Sequence, residues 1–218
     1  MIDKTCPPRI DFVILAVNDD ETRETQNVFH LRYRDHIHGI HFTWDYIKRN
    51  VVSPINDSKE CTAALVSLHD IQGGSEAESK SGAIIELLKP FYFIILGIAG
   101  GFEKKDDKGQ INGVKLGDLI ISYVLLSAPT FKGGDPRLAP VCPPSEELHQ
   151  CACNIEQTKP WRNDIESDIV PSKFCKTTFV SKREIFSSPL VLNEENRDIC
   201  KKIVEYYPRV WAAEMEAG

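Results

Sequence analysis

The apolar positions fall into a few dense runs separated by polar stretches, and the spacing inside each run predicts its form. Asp11-Phe12-Val13-Ile14-Leu15-Ala16-Val17 is a continuous apolar run that stops at Asn18-Asp19-Asp20-Glu21. Continuous apolar residues suit a strand covered on both faces and the acids suit a helix start, so the pattern predicts a parallel strand, a loop and a helix. Cys61 to Leu68 is a second strand candidate, followed by a turn at Gly73-Gly74. Ser75, with Glu78 three positions on, has the capping-box spacing, and Ala83, Ile84, Leu87 and Leu88 recur at helical intervals before Pro90. Phe91 to Ile98 then reads as a buried strand running into Ala99-Gly100-Gly101.

Leu119 to Leu126 and the loosely alternating Thr177 to Ser187 are further strand candidates. Asn193 is placed to cap a helix with Glu194, Glu195 and Asp198 early, Lys201 and Lys202 later, and apolar residues at 199, 203, 204 and 207. That charge order complements the helix dipole. Pro208 ends it, and Val210-Trp211-Ala212-Ala213 reads as a short buried strand. Two segments resist the pattern. Residues 30 to 60 are polar, His-rich and aromatic, and no element is assigned to them. Residues 127 to 173 are proline-rich, hold three cysteines and have little periodicity, which reads as an insertion or lid rather than a core. Strands alternating with helices in this order predict a parallel α/β sheet with right-handed crossovers.

Composition narrows the picture without changing it. The chain has 218 residues, 42% hydrophobic and 27% charged, which excludes disordered, collagen-like and coiled-coil readings. With 26 basic against 32 acidic side chains the net charge is −6, unsuited to a protein whose main partner is a phosphate backbone, so no nucleic-acid partner is expected. The N-terminus carries no apolar core of signal-peptide length, and the apolar Phe91–Ala99 run is far short of the ~20 residues that span a bilayer. No membrane association is expected. Seven cysteines, an odd number, favour reduced thiols inside the cell, and a cytoplasmic location is the expectation.

Four features in fixed order suggest a chemistry. They are the strand ending in acids (Ile14 to Glu21), the Gly73 turn before a helix, Leu96-Gly97-Ile98-Ala99-Gly100-Gly101 followed by Lys115-Leu116-Gly117-Asp118, and a strand ending in Glu214-Met215-Glu216-Ala217. This order resembles the purine nucleoside phosphorylase and nucleosidase superfamily, closest to its methylthioadenosine/adenosylhomocysteine nucleosidase branch, over about 11–126 and 185–218. The resemblance implies a three-layer α/β/α sandwich around a mixed, mostly parallel sheet, forming a single domain over 1–218 with the insertion at about 127–173. It also implies a homo-oligomer, a purine nucleoside or nucleotide as ligand, and no cofactor.

Breaking an N-glycosidic bond builds positive charge on the ribose and negative charge on the departing purine, so carboxylates beneath the sugar and an acid at the base act on charge that appears in the transition state. By resemblance, the acid that activates water falls on Asp20, or on Glu21 with a register one residue later. Glu216 takes the ribose hydroxyls, Met215 packs beneath the sugar, and Glu214 opens the same motif. Ile98, Ala99 and Gly100 fall at substrate-facing positions, and Val191 and Leu192 lie in the purine-edge segment, Val191 standing where an aromatic usually stacks. The family's acid for the base is an aspartate on the strand after the glutamate motif. The sequence ends before that point, so a final strand and helix are expected to be missing and these 218 residues to be inactive or crippled unless such a segment follows.

Phosphorolysis needs cationic or hydroxyl groups to pair a phosphate removed from water. Asn18 to Glu21, Ile95 and Ile98 offer acids, one amide and hydrocarbon instead, and Gly134-Asp135-Pro136-Arg137 comes too late in the chain to be the phosphorylase loop. Hydrolysis is therefore preferred over a phosphorylase. A non-catalytic nucleotide-binding module of a larger immune-type protein is the alternative from a different class. For metals, His36, His38 and His41, with His30 nearby, lack helical i, i+4 spacing and an attendant cysteine pair, and read as surface or substrate-flap residues. His149, Cys151 and Cys153, with Cys142 upstream, do not have the spacing of a known zinc module, and no metal site is expected.

Overall fold

The computed structural model describes residues 9–48, 60–68, 74–105, 108–109, 111–114, 118–127, 139–142, 145–158, 179–187 and 197–214. The chain divides into two compact units, Met1–Ile98 and Ala99–Gly218. In the first, the elements run β1 (Phe12–Ala16), α1 (Asp19–Phe29), β2 (Tyr33–Ile37), β3 (Ile40–Lys48), β4 (Glu60–Ser67), α2 (Gly74–Leu88) and β5 (Tyr92–Leu96). The strand order is β2-β3-β4-β1-β5. β1 pairs in parallel with β4 and β5, while β2, β3 and β4 pair antiparallel.

The continuous apolar character of β1 follows from its central place. Val13, Leu15 and Val17 point into one core with Ala64, Val66, Leu68, Phe42, Ile84 and Leu88, whereas Ile14 and Ala16 point into a second with Ala63, Leu65 and Leu31. Both faces are covered, so neither face needs polar residues. Removing side chains such as Leu15 and Ile84 from water contributes about 1.5–3 kcal/mol each.

The second unit comprises β6 (Gly100–Gly101), β7 (Glu103–Lys105), β8 (Ile111–Gly113), β9 (Leu119–Ser127), β10 (Ala139–Cys142), α3 (Glu146–Thr158), β11 (Phe179–Ser187), α4 (Arg197–Tyr206) and β12 (Val210–Glu214). Its five-stranded sheet has the order β10-β9-β11-β12-β6, with β9, β11 and β12 parallel and the two edge strands antiparallel. β7 and β8 form a separate hairpin. Leu126, Phe186, Ile203, Val210 and Ala213 make its core, with Ile199 and Tyr207 packed against it. The mixed α/β class matches the sequence expectation.

Three local expectations are corrected. Residues 33–48, to which the pattern assigned nothing, form the β2–β3 hairpin, closed by His38-Gly39 with φ of 48° and 82°. Positive φ at both central positions is what a type I′ turn requires, and its twist matches the flanking strands. The strand expected to be buried at 91–98 has an exposed end: β5 pairs with β1 alone among the described strands, leaving Ile95 43% and Leu96 41% exposed. The segment read as lacking periodicity holds β10 and the 13-residue α3. The helix expected from Asn193 is described from Arg197, the residues before it lying outside the described set.

One buried charge stands out in the first unit. Asp45 on β3 is 3% exposed, and Arg32 Nε donates to its Oδ2 at 2.6 Å while the Tyr46 N–H donates to Oδ1 at 2.7 Å. Burial pushes the carboxyl up, but the hydrogen bonds and charge of Arg32, with the Tyr46 N–H, outweigh it and hold Asp45 below the usual range.

Candidate functional site

In parallel α/β sheets, loops at the carboxyl ends of the strands form the ligand-binding edge. At that edge of the first unit, Ala16 lies opposite Ser67 and Leu96. β1 continues through Val17 to Asn18, whose extended backbone (φ −112°, ψ 170°) and side chain cap α1. Asn18 Oδ1 accepts the Glu21 N–H at 2.8 Å, and Glu21 Oε2 accepts the Asn18 N–H at 3.3 Å, a reciprocal capping box. The Glu21 carboxylate reaches further. Oε2 also accepts the Val17 N–H at 3.0 Å, and Oε1 accepts the Ile98 N–H at 3.0 Å, so one side chain ties the loop after β1 to the loop after β5. A carboxylate offers about four lone-pair sites. These contacts use both of those on Oε2 and one on Oε1.

Asp20 is placed differently. Its side chain is 82% exposed and pairs with Arg23 at 2.8 Å, one turn along the helix surface. The Arg23 guanidinium is raised by its hydrogen bond to Glu24 and by the charge of Asp20. Of the two acids, the structure places Glu21 at the strand ends. The signal for this lay in the sequence: Asn18 with Glu21 three positions on is itself a capping-box spacing.

At the carboxyl edge of the second unit, Ser187 is 1% exposed and lies opposite both Ser127 and Glu214, while Gly100 and Gly101 pair with Ala213 and Ala212. Gly100 and Glu214 thus arrive at one end of β12. The backbone constraint falls on Gly101 rather than Gly100. A Cβ on Gly101 meets Val114 Cβ at 3.0 Å and the Val114 carbonyl at 3.3 Å, whereas on Gly100 its nearest contact is the Ala213 carbonyl at an ordinary 3.8 Å. Ile98 is 80% exposed and Ala99 half-buried. Val191, Leu192, Met215 and Glu216 lie outside the described residues, as does the 134–137 segment. Ser187, which sequence reading left inside a longer segment, is marked out by its burial and its central register.

Similarity to solved structures decides the fold. The chain superposes on futalosine hydrolase of Helicobacter pylori strain 26695 with a TM-score of 0.62 at 14% identity, over 95% of this chain and 75% of that one. It superposes on 5′-methylthioadenosine/S-adenosylhomocysteine nucleosidase of Helicobacter pylori, complexed with a substituted pyrrolidin-3-ol, with a TM-score of 0.62 at 15% identity, over 96% and 76%. The fold is the one that this hydrolase and this nucleosidase share. The corresponding nucleosidase of Neisseria meningitidis, in complex with methylthio-immucillin-A, gives a TM-score of 0.60 at 17% identity, over 95% and 77%. No family model and no curated protein matches the sequence.

Within this nucleosidase-like fold, the remaining candidates are surface features. His149 and Cys153 share a face of α3, with Cys153 Sγ 3.9 Å from His149 Nδ1, while Cys151 is exposed two residues away, on the other side of the helix. Among the described residues no three His, Cys, Asp or Glu side chains gather as a metal set, and no helix is long and apolar enough to cross a membrane.

Proposed function

We propose that the chain hydrolyses the N-glycosidic bond of purine nucleosides, with an adenine nucleoside as substrate and water as nucleophile. The observation that carries this reading is the Glu21 carboxylate at the carboxyl edge of β1 and β5, in a fold shared with nucleosidases. Oε1, which among the described residues accepts the Ile98 N–H alone, retains a lone pair for a water proton. Glu21 is therefore the base in this proposal, in preference to Asp20. The resemblance gives the ribose hydroxyls to Glu216. Water is favoured over phosphate because Asp19, Asp20 and Glu21 crowd the first turn of α1 and the exposed Ile98 offers no partner to an anion.

The test is release of free adenine from methylthioadenosine, adenosylhomocysteine and adenosine by the full-length protein, with and without phosphate. The expected result is phosphate-independent release that Glu21→Gln and Glu216→Ala each lower at least about a hundredfold. Release that requires phosphate overturns the hydrolytic assignment, and release that survives both substitutions overturns the site.

A second reading follows from the same carboxylate. Three backbone N–H groups on Glu21 make a complete structural pin, which a module that binds nucleoside without turnover would equally hold. Calorimetric binding of adenine nucleosides with no adenine release favours that reading.

A further inference from the structure

Four of the six histidines lie between positions 30 and 41. Their spacing in sequence is not that of a metal module, but the hairpin changes which of them are neighbours. Ile37 and Ile40 flank the two-residue turn and pack against the first unit's core, which fixes the base of the loop. They form the hydrogen-bonded pair that closes a type I′ turn, so the next pair out, His36 and His41, occupies a non-hydrogen-bonded position where side chains stand closest. Alternation turns both histidines away from the core, and both are exposed. Their rings stack with centroids 5.7 Å apart and planes 29° apart.

That distance is informative. Two imidazoles on one tetrahedral ion, each with a metal–nitrogen bond of about 2.0 Å, bring their ring centres to roughly 5 Å. The observed centroid separation is close to that figure, so both imidazoles reach one ion once the exposed side chains turn their nitrogens toward it. The strands are held by the core, so little ordering is left for the ion to impose, and two ligands on one rigid scaffold act as a chelate. Asp35 Oδ1 accepts the His36 N–H at 2.8 Å. Arg34 stands two residues along the same strand face, but it is exposed and its repulsion is screened by salt.

We propose that His36 and His41 form a surface site for a divalent transition-metal ion of the imidazole-binding class, Zn²⁺ or Cu²⁺, completed by water. The site is independent of the Glu21 reading and survives its failure.

The experiment is calorimetric titration of the full chain with Zn²⁺, Cu²⁺ and Mg²⁺ near neutral pH. One Cu²⁺ or Zn²⁺ per chain is expected at this site, Cu²⁺ the tighter, with no Mg²⁺ binding. His36→Ala and His41→Ala each weaken binding at least about tenfold, because a lost ligand costs no less than a lost supporting partner. His149→Ala leaves it unchanged. Electron paramagnetic resonance of the Cu²⁺ complex of the unsubstituted chain shows coupling to imidazole nitrogen, a readout that needs no variant to fold. Absence of binding, binding indifferent to both substitutions, or equal weakening by His149→Ala overturns the proposal.

Discussion

The carboxylate of Glu21 accepts the backbone N–H of Ile98 at 3.0 Å, tying residues 77 positions apart at the strand ends of the first unit. The same side chain caps α1, so it has a structural duty as well as the proposed chemical one, and substitutions separate the two. Glu21→Gln keeps the shape, but its NH₂ must face at least one backbone N–H. Hydrogen bonds to a charged group contribute about 1.5–3 kcal/mol each, and a fall in stability of that order is expected. Adenine release falls by about 10²–10⁴-fold, the usual contribution of a positioned base. Asp20→Asn removes only an exposed pair with Arg23 and leaves melting and adenine release nearly unchanged. Loss of activity in Asp20→Asn with activity kept in Glu21→Gln reverses the assignment.

Gly101 and Gly100 are expected to respond in opposite ways to a methyl group. Gly101→Ala drives Cβ to 3.0 Å from Val114 Cβ and 3.3 Å from its carbonyl, and overpacking of this kind costs about 1–3 kcal/mol. Gly100→Ala is tolerated. Denaturant midpoints of the two variants decide the point, and Val114→Ala is expected to recover part of the Gly101→Ala loss by removing the side-chain clash but not the backbone one. Equal stability of the two single variants contradicts the packing of β6 against the residues that follow β8.

The strands most legible in the sequence are the densely apolar ones. β1 announces itself because alternate residues, Val13 and Leu15 against Ile14 and Ala16, feed two cores; β9 and β12 show the same density of apolar residues, and β11 shows a loose alternation. The β2–β3 hairpin was illegible for the converse reason. Its outward residues Arg34, His36 and His41 are polar, Asp45 is a buried charge satisfied by Arg32, and its turn uses His38 in place of the Asn or Asp that signals a hairpin. Nor could sequence spacing show that His36 and His41 face each other, since cross-strand pairing is set by the turn. At the site, resemblance narrowed the base to Asp20 or Glu21. Capping geometry, a local effect, distinguishes their surroundings.

Asp45 makes stability depend on acid. Its carboxyl is held below the ordinary range, so the folded chain binds that proton less tightly than the unfolded chain. The stabilisation is complete above the unfolded value of about 3.9 and is lost as pH falls through the lower folded value. Melting temperature is expected to fall in that acid window more steeply in the unsubstituted chain than in Asp45→Asn, which is less stable at neutral pH and converges with it in acid. Parallel pH profiles for the two proteins show that the Arg32–Asp45 pair contributes nothing.

Cys200 and Cys151 provide a test of how α4 is packed. Burial pushes the Cys200 thiol up, on a helix whose Ile199 and Ile203 contribute to the second unit's core, whereas Cys151 is exposed on α3. The thiolate is the reacting species, so a raised value and restricted access both slow modification. With a thiol-alkylating reagent near pH ~8, peptide mass analysis is expected to find Cys151 modified well before Cys200. Raising the pH further increases the Cys200 rate over a range where an ordinary thiol has already levelled off, and denaturant brings the two rates together. Equal rates in the native protein mean that α4 does not cover Cys200, and the core around Phe186 and Ile203 then needs a different arrangement.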